Sequence, residues 1–202
     1  MFVQIIQGKT GDAAGLRRQM DRWQKELAPG AAGYLGATAG VSDKGEFVSV
    51  VRFESEDAAR KNSDRPEQGE WWTETEKLFD GEVLFHDCNE VDTFLKGGSD
   101  DAGFVQIIQG HVNDVDAARR IGQKMNETLP SVRPDVIGGT VAWNPNGRYT
   151  ETVYFTSEAE ARENEKKMAD SSEFQSYGEE WDAVKAEEPE YIDLKDPWLL
   201  SP

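Results

Sequence analysis

The chain has few of the residues that build metal centres, disulfides and membrane spans. It holds one cysteine, Cys88, and two histidines, His86 and His111, in 202 residues. A lone cysteine cannot close an internal disulfide, which fits a reducing compartment. The two histidines show no metal-ligand spacing, so no metal is expected and they read as surface or strand-end residues. There is no run of 18 apolar residues, and Met1 leads straight into Phe2-Val3-Gln4-Ile5-Ile6 without a basic segment or a small-residue cleavage site. The expectation is a cytoplasmic protein with no membrane role. Basic residues are also scarce: 22 Lys and Arg stand against 39 Asp and Glu, a net charge of −17. Cutting the chain after Asp101 leaves −8 and −9, so neither half hides a basic module. Such a surface repels phosphate backbones, and nucleic acid is not an expected partner.

What the chain does have is a duplication. Phe2-Val3-Gln4-Ile5-Ile6-Gln7-Gly8 recurs letter for letter at Phe104–Gly110, an offset of 102 that holds without gaps for 62 positions, 21 of them identical. Each copy reads β-α-β-β-α-β. After the Phe2–Gly8 strand, Gly11-Asp12 signals a helix start, and Leu16, Met20, Trp23 and Leu27 repeat at the spacing of one helical face before Pro29-Gly30 stops it. Tyr34–Val41 and Phe47–Phe53 flank Ser42-Asp43-Lys44-Gly45, a hairpin signal that Asn144-Pro145-Asn146-Gly147 repeats. A second helix from Ser55, broken at Arg65-Pro66 and resumed through Trp71–Phe79, precedes a last strand near Glu82–His86. Copy two ends on a strand near Glu190–Leu194 and a tail. The expected domains are repeat one at 1–96, a Gly- and Asp-rich linker at 97–103, and repeat two with its tail at 104–202.

The unit is ferredoxin-like, an α+β fold with a four-stranded antiparallel sheet and both helices on one face. The segment Val50-Val51-Arg52-Phe53-Glu54-Ser55-Glu56-Asp57-Ala58-Ala59, repeated as Tyr154-Phe155-Thr156-Ser157-Glu158-Ala159-Glu160-Ala161, resembles the dimeric α+β barrel superfamily. It is most similar to the antibiotic biosynthesis monooxygenase (ABM) domains, as are Glu70-Trp71-Trp72 and Ser172-Glu173-Phe174 on the second helix. The resemblance spans nearly the whole chain, twice. It implies an intramolecular barrel, a monomer built as a pseudo-dimer and able to pair further as a homodimer. It also implies a cavity for a small apolar or aromatic molecule, and oxygenation without a cofactor. In ABM monooxygenases that cavity carries an Asn and a Trp on the third strand and a Tyr on the following helix. Those places fall here on Ser49, Phe53 and Ala59, and on Glu151, Phe155 and Ala161, so only the aromatic persists. Haem-degrading relatives use an axial His on the second helix and a Trp near its start. Neither Trp71–Leu78 nor Phe174–Ala183 contains a histidine, and the Trp place falls near Asn62 and Asn164, so no haem is expected.

The residues themselves add candidates. Glu151 alternates with Tyr149, Val153 and Phe155 on one strand face, where a carboxylate against an apolar cavity would titrate high and serve as a general base. The alternative is a Glu that reaches solvent or pairs with Arg119 or Arg120. Gln106 either contacts a ligand or bonds along the sheet seam. Ligand contacts are expected from Gln106, Tyr149, Phe155, Asn164 and Phe174 in copy two and from Ser49 and Phe53 in copy one. Trp71, Trp72 and Trp181 read as core. On the first helix, Leu16, Met20, Trp23 and Leu27 become Ala118, Gly122, Met125 and Leu129, so the roomier pocket is expected in the second copy unless Ile121, Trp143 and Tyr154 refill it. Two functions stay open: a small-molecule enzyme of the ABM kind, or a binding or scaffold protein without catalysis.

Overall fold

Identical punctuation gives the two copies identical local structure. Asp12 Oδ1 accepts a hydrogen bond from the Gly15 N–H at 2.8 Å, and Asp114 Oδ1 accepts from the Ala117 N–H at 2.9 Å. These side chains satisfy donors that the first turn of a helix leaves open. Gly45 and Gly147 close the hairpins at φ values of +75° and +89°, a region that costs glycine nothing. The computed structural model describes residues 1–169 and 171–202. Its first unit contains β1 (Phe2–Lys9), α1 (Ala13–Glu26), β2 (Tyr34–Val41), β3 (Glu46–Phe53), α2 (Glu56–Ser63), α3 (Pro66–Thr75) and β4 (Leu84–Cys88). The second repeats the order with β6 (Phe104–His111), α4 (Val115–Val132), β7 (Val136–Trp143), β8 (Arg148–Phe155), α5 (Glu158–Ala169), α6 (Ser172–Asp182) and β9 (Glu190–Leu194).

Two further strands exceed the ferredoxin-like pattern. The segment after β4 forms β5 (Glu90–Leu95), and the C-terminal tail forms β10 (Trp198–Leu200). The sheet orders are β10-β2-β3-β1-β4 and β5-β7-β8-β6-β9. Each sheet thus gains a fifth strand beside its second one, and the compact units become Met1–Val91 with Asp196–Pro202, and Asp92–Lys195. Sequence boundaries at 96 and 104 follow the repeat, whereas the units follow these added edges. Three residues pairing at an edge is too short a signal for periodicity to detect.

The first unit has one large core. Leu16, Met20 and Trp23 of α1 and Leu27 at its C-terminal cap pack with Phe2, Tyr34, Phe47, Phe53, Trp71 and Trp198 in one buried cluster. The Trp23 ring meets Tyr34 at 4.8 Å and Trp71 at 6.4 Å, both edge-on. The second unit includes two smaller clusters, one around Phe104 and Phe155 and one around Trp143 and Tyr149, with Ile108 and Val141 packed against both.

Candidate functional site

Strand pairing builds the floor of a cavity inside the second unit. Register sets Val141 beside Glu151, Glu151 beside Ile108, and Ile108 beside Tyr191, a row across β7, β8, β6 and β9. All four line a cavity of about 610 Å³. Above the floor, Ala118, Gly122, Met125 and Leu129 of α4 stand where α1 of the first unit carries Leu, Met, Trp and Leu. Gly122, and Gly178 on α6, line the cavity, and a Cβ added to either would meet nothing within 4 Å. Ile121 and Tyr154 are buried and Trp143 joins the wall, but they leave this volume open.

Of the residues expected from sequence, Glu151, Gln106, Tyr149, Phe155 and Phe174 line this cavity. Asn164 does not; its Nδ2 donates to Asp135 Oδ1 at 3.0 Å and steadies a buried pair in which Arg133 donates to Asp135 Oδ2 at 2.7 Å. One helical position turned it from cavity to support. Ser49 and Phe53 lie in the first unit, Ser49 buried between Ile6 and Ala39 and Phe53 against Tyr34 at 5.7 Å. Gln106 Nε2 donates to Asp193 Oδ1 at 2.8 Å, as Gln4 does to Asp87 at the same distance, so it serves the seam while one side faces the cavity. Trp181, read as core, is a cavity wall that meets Tyr149 edge-on at 5.7 Å. A helical stripe alone does not distinguish a packed neighbour from an open one.

Electrostatics separate Glu151 from the other charged residues. Arg119, one partner considered for it, donates through Nε to Asp92 Oδ2 at 2.8 Å, and Trp143 Nε1 donates to that same oxygen at 2.7 Å. Arg162 donates to Asp193. No hydrogen bond or ion pair holds Glu151 among the described residues. It opens partly onto the cavity and is otherwise packed in protein, so burial pushes its carboxyl up to about 7. The Tyr149 hydroxyl is also pushed well above its usual value, first by burial and then by the charge on Glu151. Among the described residues, no group of three or more His, Cys, Asp or Glu could hold a metal ion.

The chain resembles solved structures over its whole length. A protein of Lactobacillus acidophilus provisionally named a monooxygenase is 14% identical with a TM-score of 0.75, covering 99% of this chain and 95% of that one. One of Fusobacterium nucleatum, named likewise, is 10% identical with a TM-score of 0.77, covering 99% and 92%. A ferredoxin-fold protein of Listeria monocytogenes, described as related to antibiotic biosynthesis monooxygenases, is 10% identical with a TM-score of 0.52, covering 100% and 95%. The fold is ABM-like, in tandem. No family model matches the sequence, and no curated protein matches it. At these identities the likeness concerns the ABM-like fold, and its chemistry rests on the residues of the cavity. No helix among the described residues is long and apolar enough to cross a membrane.

Proposed function

We propose that the second unit binds a small apolar or aromatic molecule and that Glu151 removes a proton from it. The observation that carries this reading is a carboxylate pushed up to about 7 on an apolar cavity floor, with no cation paired to it among the described residues. A base of that strength exchanges protons near neutral pH, and apolar surroundings make its ionised form reactive. The ABM-like fold supports dioxygen as the second substrate. An activated methylene gives up its proton, the carbanion passes electrons to dioxygen, one oxygen atom enters as a carbonyl, and the other leaves as water. A binding protein without turnover is the second reading. It is favoured by the ABM places for Asn, Trp and Tyr, which hold Glu151, Phe155 and Ala161 here.

Thermal-shift screening with polycyclic phenols and anthrones, followed by oxygen-uptake measurements on the stabilising compounds, tests the proposal. Glu151→Gln should keep the ligand shift and lose about 100-fold or more in turnover, and wild-type rate should rise with pH through about 7 as the carboxylate forms. Turnover unchanged in Glu151→Gln would refute the base assignment. Stabilisation without oxygen uptake by any compound would leave the binding reading.

A further inference from the structure

Proton removal by Glu151 leaves an anion in a cavity whose cations are already engaged. Arg119 is held by Asp92 at 2.8 Å, Arg133 by Asp135 at 2.7 Å, and Arg162 by Asp193. Each has a carboxylate of its own, so none carries surplus positive charge toward the floor. Tyr149 differs. The residue is 6% exposed, and among the described residues its hydroxyl has no hydrogen-bond partner, yet it is not one of the fully enclosed unpartnered atoms, so it keeps some open surface, and Tyr149 lines the cavity. A hydroxyl so placed is free to donate to a ligand.

The ring of Tyr149 is also fixed in place. Trp143 meets it at 5.5 Å and Trp181 at 5.7 Å with the planes 85° apart. Tyr149 pairs with Gly110 across β8 and β6, and a Cβ on Gly110 would stand 2.7 Å from the hydroxyl oxygen and 2.9 Å from the ring. Only glycine lets the phenol lie across the strand there. Tyr149 and Glu151 are two residues apart on one strand face, about 7 Å along it.

We infer that Tyr149 donates its O–H to the substrate oxygen that becomes negative when Glu151 takes the proton. This inference rests on the proposed function and asks for a ligand whose acidic proton lies on, or close to, the oxygen that takes the charge. In the step, the substrate O–H or C–H bond breaks, its electron pair stays on the substrate, and the proton joins a Glu151 oxygen. The Tyr149 proton stays on Tyr149, shared in a hydrogen bond of the kind that stabilises developing oxyanions. Burial and the nearby Glu151 charge both oppose ionisation of Tyr149, which keeps its O–H available through neutral pH.

The test uses 4-nitro-1-naphthol, whose phenol and phenolate absorb at different wavelengths, bound to the full chain and titrated from pH 5 to 9. Tyr149→Phe keeps the ring and its aromatic contacts. It should lower the phenolate-to-phenol ratio of bound probe about 10- to 100-fold at fixed pH, the worth of one hydrogen bond to a charged group, with affinity for the neutral phenol unchanged. Gly110→Ala, which displaces the ring but keeps the hydroxyl, should lower the ratio in the same direction. An unchanged ratio in folded Tyr149→Phe overturns the inference and leaves the proposed function standing. A wild-type protein that does not bind the probe overturns both.

Discussion

At the scale of single residues, the functional claim depends on one carboxylate whose ionisation works against the fold. Glu151 titrates near 4.5 in an unfolded chain and is pushed up to about 7 in the folded one. Below the lower value both states are protonated and the stability associated with the neutral form is fully present; it is lost as pH rises through about 7. Glu151→Gln, which stays neutral, should match wild type in urea unfolding at pH 4 and exceed it at pH 8.5 by up to about 3 kcal/mol. Equal stability at both values would mean that Glu151 ionises as freely as an exposed residue. Alternation along β8 was enough to pick this residue from sequence, because strand period fixes which side chains share a face. Its lack of a partner was not legible. Arg119 could have served, and only the β5 edge, which brings Asp92 to Arg119, removes it. Asn164 shows the converse limit: a helix position judged by family placement turned to Asp135 instead.

At the scale of elements, the two first helices explain why the second unit has a cavity where the first has packed side chains. Each is capped by its own Asp, Asp12 or Asp114, and each follows its copy's first strand, but α1 fills its space with Leu16, Met20 and Trp23 while α4 presents Ala118, Gly122 and Met125. Side-chain volume along the first helix was therefore readable from the repeat. The second wall was not, because Gly178 and Trp181 belong to a helix whose repeat partner is differently spaced. Gly122→Met installs the residue that the first unit carries at this place. It should raise helix stability by roughly 0.5–1 kcal/mol, since a mid-helix glycine is costly and its Cβ would meet nothing within 4 Å. It should also abolish stabilisation by aromatic ligands in a thermal-shift assay. Undiminished ligand response would show that binding occurs elsewhere.

At the scale of the whole chain, the compact unit does not coincide with the unit that repeats. Trp198 and Leu200 lie in the buried cluster of the first unit, where Trp198 meets Phe47 at 6.1 Å and Arg17 lies 5.6 Å over its ring. Residues 1–96 lack both, leaving the β2 edge and the core exposed. Truncating a buried Trp costs roughly 3–5 kcal/mol, enough to unfold a domain of ordinary stability. Residues 1–96 should therefore show no cooperative thermal transition, whereas residues 1–91 joined through a flexible linker to 196–202 should recover one. A cooperative transition in 1–96 alone would show that β10 is dispensable.

The sequence by itself determined the duplication, the β-α-β-β-α-β order, the helix caps and hairpin turns, the faces of the strands that set Glu151 beside Tyr149 and Val153, and the smaller side chains on the first helix of the second copy. These follow from local rules, in which period, propensity and cap chemistry act within a few residues and are therefore written along the chain. Only the tertiary structure decided which charges are paired, that Trp181 is a wall and Asn164 a support, and that the tail completes the first sheet. Each of those depends on which distant segment occupies a neighbouring place, a choice settled by burial and strand pairing across some 160 residues between Ala37 and Leu200.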